Sequence, residues 1–149
     1  MNSYACLFVH LVWATWDRMP LITPEIQEAL YDNIAAACRK QGAMPLIIGG
    51  VADHVHVLAR VRVTTDLSML AHDMKGGSSH FVTHVLRPGT FFKWQGAYGV
   101  LSVSPEAVDT VTAYIRRQPE HHANRTIKEE WERTTDADPR HRAVGMDER

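Results

Sequence analysis

The stretch GGVADHVHVLARV, Gly49–Val61, sets two histidines one residue apart in an apolar run that follows a pair of glycines. The run reads as a β-strand over Ala52–Val63. Gly49-Gly50 joins it to a short apolar strand over Met44–Gly49, and the two make a hairpin. Strand side chains alternate, so His54 and His56 share a face, about 7 Å apart, while Val55 and Val57 point the other way and pack inward. Asp53 directly precedes the pair. A His-x-His on a strand has two readings. It is a pair of partly exposed or hydrogen-bonded residues among the nine histidines of the chain, or it is two ligands of a metal whose third donor comes from elsewhere.

Working outward, Tyr4–Thr15 (YACLFVHLVWAT) is apolar, aromatic and β-branched, as a strand requires. After the turn DRMPLI, Thr23-Pro24-Glu25 opens a helix, with Ile26, Leu30, Ile34, Ala37 and Cys38 at helical spacing up to Gly42. Beyond the hairpin, Asp66 begins a second helical pattern through Leu67, Leu70, Met74, Phe81, Val82 and Val85, ending at Arg87-Pro88-Gly89. Gly76-Gly77 interrupts it, at about 1 kcal/mol per glycine relative to alanine. A strand is predicted over Phe91–Val103. Ser104-Pro105-Glu106 then caps a third helix with the stripe Val108, Val111 and Ile115, closed by Gln118-Pro119. The order β-α-β-β-α-β plus a helix predicts an α+β fold of the ferredoxin-like split βαβ type. Its antiparallel sheet carries helices on one face. The other face is left for His54 and His56 to line, in the open or under the last helix. Residues 1–130 form the predicted domain, and 131–149 a polar, poorly ordered tail.

A chain of 149 residues holds one domain with a core. Its 45% hydrophobic and 22% charged residues are ordinary globular composition. No apolar run approaches the length of a membrane span, and MNSYACLFVHLVW lacks the basic start and cleavage site of a signal peptide. Cys6 and Cys38 show no framework spacing, which predicts reduced thiols in a cytoplasmic protein. A net charge of −1 argues against a generally basic nucleic-acid binder. The charge is uneven, however. Arg60, Arg62, Lys75, Arg87 and Lys93 make the middle mildly basic, which suits a local polyanion contact.

The third helix reads SPEAVDTVTAYIRRQPEHH. Tyr114 and Gln118 are four residues apart and share a face beside the apolar stripe. On one reading they are a boundary aromatic and a helix-end amide. On the other, Tyr114 is a nucleophile capable of a covalent intermediate, next to a metal held by His54, His56 and the Gln118 amide oxygen.

The segments ATWDRMPLI, GGVADHVHVLARV, MKGGSSHFV, KWQGAYGVLSVS and VTAYIRRQPEHH occur in this order. They include His-hydrophobic-His followed by Tyr-x-x-x-Gln-x-x-His-His. Across residues 4–130 the chain resembles the single-tyrosine transposases of the HUH endonuclease superfamily, including the repeat-associated tyrosine transposases. The resemblance implies that His54, His56 and Gln118 are metal ligands for Mg²⁺ or Mn²⁺. It implies that Tyr114 attacks single-stranded DNA to give a 5′-phosphotyrosine and a free 3′-hydroxyl. It further implies DNA hairpins as partners, a nucleoid location, and a homodimer whose sites combine the histidine pair of one subunit with the tyrosine helix of the other. The alternatives are a domesticated hairpin-binding protein without catalysis, and an unrelated metal-binding domain of the same fold.

Other motifs offer candidate DNA contacts. Lys75, Ser78 and Ser79 of KGGSSH are candidate phosphate contacts, or else mark a helix kink with a solvated lysine. Trp94, with Gln95 and Tyr98, is a candidate base-stacking platform, or else core or dimer packing. Arg116 and Arg117 suit a phosphate, or a solvated helix face. His121-His122 reads as a helix-end cap. The apolar, aromatic edge of Phe91–Val103 is the predicted dimer contact.

Overall fold

A computed structural model describes residues 3–135. Its elements are β1 (Leu7–Ala14), α1 (Pro24–Lys40), β2 (Met44–Val51), β3 (His54–Val61), α2 (Leu67–Phe81), β4 (Gly99–Val103), α3 (Val108–Arg116), α4 (Gln118–Asn124) and α5 (Glu129–Glu132). The strands form one sheet in the order β2-β3-β1-β4, and all its pairs are antiparallel. This is the α+β split βαβ arrangement: β3 lies between β2 and β1.

Strand alternation gives the sheet two working faces. Val9, Leu11 and Trp13 of β1 join Val55, Val57, Ala59 and Val61 of β3 on one of them. There they meet Ile26, Leu30, Ile34 and Cys38 of α1 and Leu70, Ala71 and Met74 of α2. The four α1 residues recur every fourth position, so a single helical stripe covers the sheet. The other face carries Phe8, Ile47, Leu58 and Val103, packed against Val108, Val111, Tyr114 and Ile115 of α3 and Trp131 of α5. The face that the βαββαβ order leaves open is thus covered by the C-terminal helices.

Four local expectations change. The hairpin turn lies at Ala52-Asp53 and not at Gly49-Gly50, because both glycines extend β2 and pair with His56 and Val55 of β3. The helix predicted to break at Gly76-Gly77 runs straight through them to Phe81 and continues as a π-helical turn, Val82–Leu86. The buried stripe Leu70, Ala71, Met74 and Ser78 holds it, and the Asp66 side chain caps it by accepting from the Met69 amide at 3.1 Å. Tertiary packing outweighs the propensity cost of two glycines. The strand predicted over Phe91–Val103 shortens to Gly99–Val103. Phe92 and Trp94 instead turn into the first core, each ring edge-on to its neighbour. The last helix divides at Arg117 into α3 and α4, because Pro119 lacks an amide proton to continue the ladder.

Candidate metal and nucleophile site

In the β1–β3 register, Ala14 faces His54, Val12 faces His56 and His10 faces Leu58. The even-numbered residues of both strands therefore look toward α3–α5, which brings His10, His54 and His56 to one surface. α3 can lie close to that surface because Gly49 of β2 has no side chain. A Cβ there would stand 2.6 Å from the Ile115 carbonyl oxygen. That close approach places Tyr114, the neighbour of Ile115, over the histidines; its ring centroid is 6.0 Å from that of His56.

The groups converge on Glu132 of α5. Its Oε1 lies 3.0 Å from His54 Nε2, 3.2 Å from His56 Nε2 and 3.5 Å from His122 Nε2. Its Oε2 accepts from the Tyr114 hydroxyl and, at 3.2 Å, from Gln118 Nε2. Gln118 Oε1 lies 3.0 Å from His54 Nε2 and 3.0 Å from His122 Nε2. The opposite nitrogens of the two central rings are already engaged. His54 Nδ1 is 2.8 Å from the Asp53 carboxylate, and His56 Nδ1 is 2.8 Å from His10 Nε2. Both Nε2 atoms therefore point at the same small volume, with a carboxylate and an amide oxygen beside them.

Charge follows from this crowding. Burial opposes a proton on His54, but the Asp53 and Glu132 carboxylates and the Gln118 amide outweigh it and hold its pKa up at about 9. Burial likewise opposes ionisation of Glu132, but His54 and His56 hold its carboxyl well below the usual range. Burial lowers His56, and lowers His10 to about 3. Tyr114 is pushed up to about 12 by burial and then by Glu132. The His54 ring lies between the Asp53 and Glu132 carboxylates, a place where positive charge is favoured. The donors are two imidazole nitrogens, an amide oxygen and a carboxylate oxygen, a set suited to Mn²⁺ and to harder divalent ions. His54, His56 and Glu132 offer ligand atoms within 4.8 Å of one another. The residues fit a divalent ion.

All four residues singled out in the sequence, His54, His56, Tyr114 and Gln118, meet here, and all are buried. They meet here within one chain. Trp131 stands edge-on to Tyr114 at 4.9 Å, and the Lys128 amide donates to the tyrosine hydroxyl at 3.1 Å. His121, read as a cap, stacks on the Tyr114 ring at 4.7 Å. His122, the last residue of the Tyr-x-x-x-Gln-x-x-His-His motif, is expected to cap the helix end and instead turns its Nε2 to Gln118 and Glu132. Three contributors lie outside the sequence reading: His10, Trp131 and Glu132. His10 shares the alternating register of the first strand, a signal that is usable only once β1 is paired with β3. Glu132 has no local signal, and the expected domain boundary at residue 130 falls inside its helix; the remainder of the expected tail, 136–149, lies outside the described residues.

The candidate DNA contacts divide. Arg116 and Arg117 are exposed at the end of α3. Lys75 is half-buried, donates to the Ala97 carbonyl at 3.2 Å and lies over the Tyr98 ring. Ser79 is half-buried and bonds to its own helix at Gly76. Ser78 and Trp94 are corrections: both are buried, and Trp94 Nε1 donates to Ser78 Oγ at 2.9 Å, so the indole is core rather than a stacking platform.

The fold is shared with solved proteins. One is a crystal structure from Deinococcus radiodurans R1 described as a candidate transposase, 24% identical, with a TM-score of 0.61, covering 79% of this chain and 95% of that one. Another is a REP-associated tyrosine transposase bound to a REP hairpin, 18% identical, with a TM-score of 0.59, covering 82% of this chain and 74% of that one. No curated protein matches the chain. Residues 3–118 match the family described as transposase, IS200-like, a span that takes in β1 through Gln118 and with it His10, His54, His56 and Tyr114. The chain belongs to the IS200-like transposase family.

Proposed function

We propose that this protein is a metal-dependent transposase that cleaves and rejoins single-stranded DNA at hairpin-associated sites, with Tyr114 as nucleophile and His54, His56 and Gln118 as ligands of Mg²⁺ or Mn²⁺. One observation carries the reading: the Tyr114 hydroxyl and both imidazole Nε2 atoms contact the same carboxylate. The nucleophile thus stands a single side chain away from the cation position.

A divalent ion at that position polarises a phosphodiester oxygen and stabilises the charge that builds on it. The chain does the rest. Asp53 and His10 fix the two rings through their Nδ1 atoms. Gln118 ties the start of α4 to the histidines, one turn from Tyr114. The tyrosine hydroxyl then gives up its proton as its oxygen attacks phosphorus. A P–O bond forms to give the 5′-phosphotyrosine, the P–O bond to the 3′ oxygen breaks, and the departing 3′ oxygen takes up one proton, so that the proton lost by the tyrosine is balanced by the one gained at the 3′-hydroxyl. Burial and Glu132 keep Tyr114 protonated at rest, and Trp131 covers its ring, so α5 has to move before DNA reaches it. Exposed Arg116 and Arg117, with Lys75 and Ser79 on α2, are the proposed phosphate contacts. The protein would act in the cytoplasm, at the nucleoid, as a homodimer.

The covered tyrosine also favours a second reading, a hairpin-binding relative that does no chemistry. Labelled single-stranded DNA hairpins from the flanks of the gene separate the two. With Mn²⁺, a covalent protein–DNA adduct should appear on a denaturing gel. Tyr114→Phe should bind the same hairpin and give no adduct, because phenylalanine has no nucleophilic atom. An undiminished adduct in Tyr114→Phe overturns the nucleophile, and its absence from the wild type favours the binder.

A further inference from the structure

The family match ends at Gln118, yet the groups of the site converge on a residue beyond it. Glu132 is 13% exposed, and its Oε1 faces both histidine Nε2 atoms. His54 Nε2 to Glu132 Oε1 is 3.0 Å, His56 Nε2 to Glu132 Oε1 is 3.2 Å, and His54 Nε2 to Gln118 Oε1 is 3.0 Å. Two donors on adjacent corners of an octahedron with bonds of about 2.1 Å stand about 3.0 Å apart. These three separations are those that neighbouring ligands keep around one ion, and the ligand atoms of His54, His56 and Glu132 all lie within 4.8 Å of one another.

We propose that Glu132 is a fourth protein ligand of the divalent metal in the DNA-free protein, supplied by the C-terminal segment. This deepens the proposed function and rests on its metal site. A carboxylate adds the one formal negative charge that two neutral imidazoles and an amide lack, so it should dominate the electrostatic part of affinity for a dication. The carboxylate is held in place from the side away from the histidines, because its Oε2 takes hydrogen bonds from Tyr114 and Gln118. Trp131, packed edge-on against both Tyr114 and His10, anchors the same turn. A DNA phosphodiester is likewise an anionic oxygen donor, so entering DNA would exchange with Glu132 as α5 lifts. Metal affinity and access to the nucleophile are then linked through one side chain.

The test is metal binding without DNA. Free Mn²⁺ is counted from its electron paramagnetic resonance signal during titration of the full chain, and the Mn²⁺-induced rise in melting temperature is read in parallel. Wild type, Glu132→Gln, Glu132→Ala, Glu130→Gln and His54→Ala are compared. Changing an outer partner of a ligand already costs about 10- to 100-fold in affinity, so losing a ligand should weaken binding by at least about tenfold. Both Glu132 variants should show this and a smaller thermal shift, whereas Glu130→Gln, on the exposed side of the same turn, should match wild type. Glu132→Gln preserves shape and carries the result if Glu132→Ala does not fold. If the Glu132 variants bind Mn²⁺ like wild type while His54→Ala loses it, Glu132 is not a ligand and the histidine site stands. If the wild type binds no Mn²⁺, both readings fall.

Discussion

His10 is 1% exposed, lies on β1 in the middle of the sheet and touches His56 Nδ1 at 2.8 Å. For His56 Nε2 to offer its lone pair, the proton must sit on Nδ1 and be accepted by His10 Nε2. Burial lowers the His10 pKa to about 3, which keeps that ring neutral and able to accept. His10→Phe retains a ring of similar size but leaves the His56 Nδ1 proton without a partner. Mn²⁺ affinity should fall about 10- to 100-fold, and His10→Gln, which restores an acceptor, should recover part of it; calorimetric titration reads both. Equal affinity in all three proteins would show that His56 needs no such support. At this scale the sequence disclosed the residues whose neighbours in the chain form a pattern, His54 with His56 and Tyr114 with Gln118. It did not disclose His10 or Glu132, whose roles depend on strand pairing and on a helix folding back.

Among the elements, α2 shows most plainly how packing overrides local preference. Gly76 and Gly77 lie in mid-helix, and a methyl group added at either would meet no atom within 4 Å. Nothing among the described residues demands glycine there. Gly76→Ala should therefore stabilise the protein by about 0.5–1 kcal/mol, by relieving the entropic cost of an exposed helical glycine. With Lys75 and Ser79 proposed as phosphate contacts, the same change should weaken hairpin binding several-fold by holding the DNA backbone away. Urea unfolding and a binding titration read the two effects. A gain in stability with unchanged affinity would remove this stretch of α2 from the DNA surface. The other elements were legible in proportion to their patterns. α1 follows its cap signature and its four-residue apolar spacing. The strand before Val103 is shorter than its apolar pattern predicts, because Phe92 and Trp94 are as apolar as strand residues but belong to a loop that plugs the core.

At the scale of the whole molecule, the outer edge of β4 stands out. Among the described residues β4 pairs only with β1, and Val100 is 41% exposed. A strand edge without a pairing neighbour invites pairing with a second copy. Sedimentation at micromolar concentration should give twice the 16.8 kDa protomer mass, and a stable monomer would rule the dimer out. Among the described residues no helix is long and apolar enough to cross a membrane. The order of elements, the existence of the β2–β3 hairpin and the two-residue repeat of β3 were determined by the sequence alone, because hydrophobic period is a local property. The place of the hairpin turn was not, since Gly49 and Gly50 pair within β2 and the chain reverses at Ala52-Asp53. The identities of His54, His56, Tyr114 and Gln118 were likewise written in short spacings. Which face of the sheet the last helices cover, the inward turn of Trp94, and the arrival of Glu132 among the histidines were decided only by tertiary structure. Each depends on contacts between segments far apart in the chain, where the lowest free energy belongs to the packed assembly and not to any window of residues.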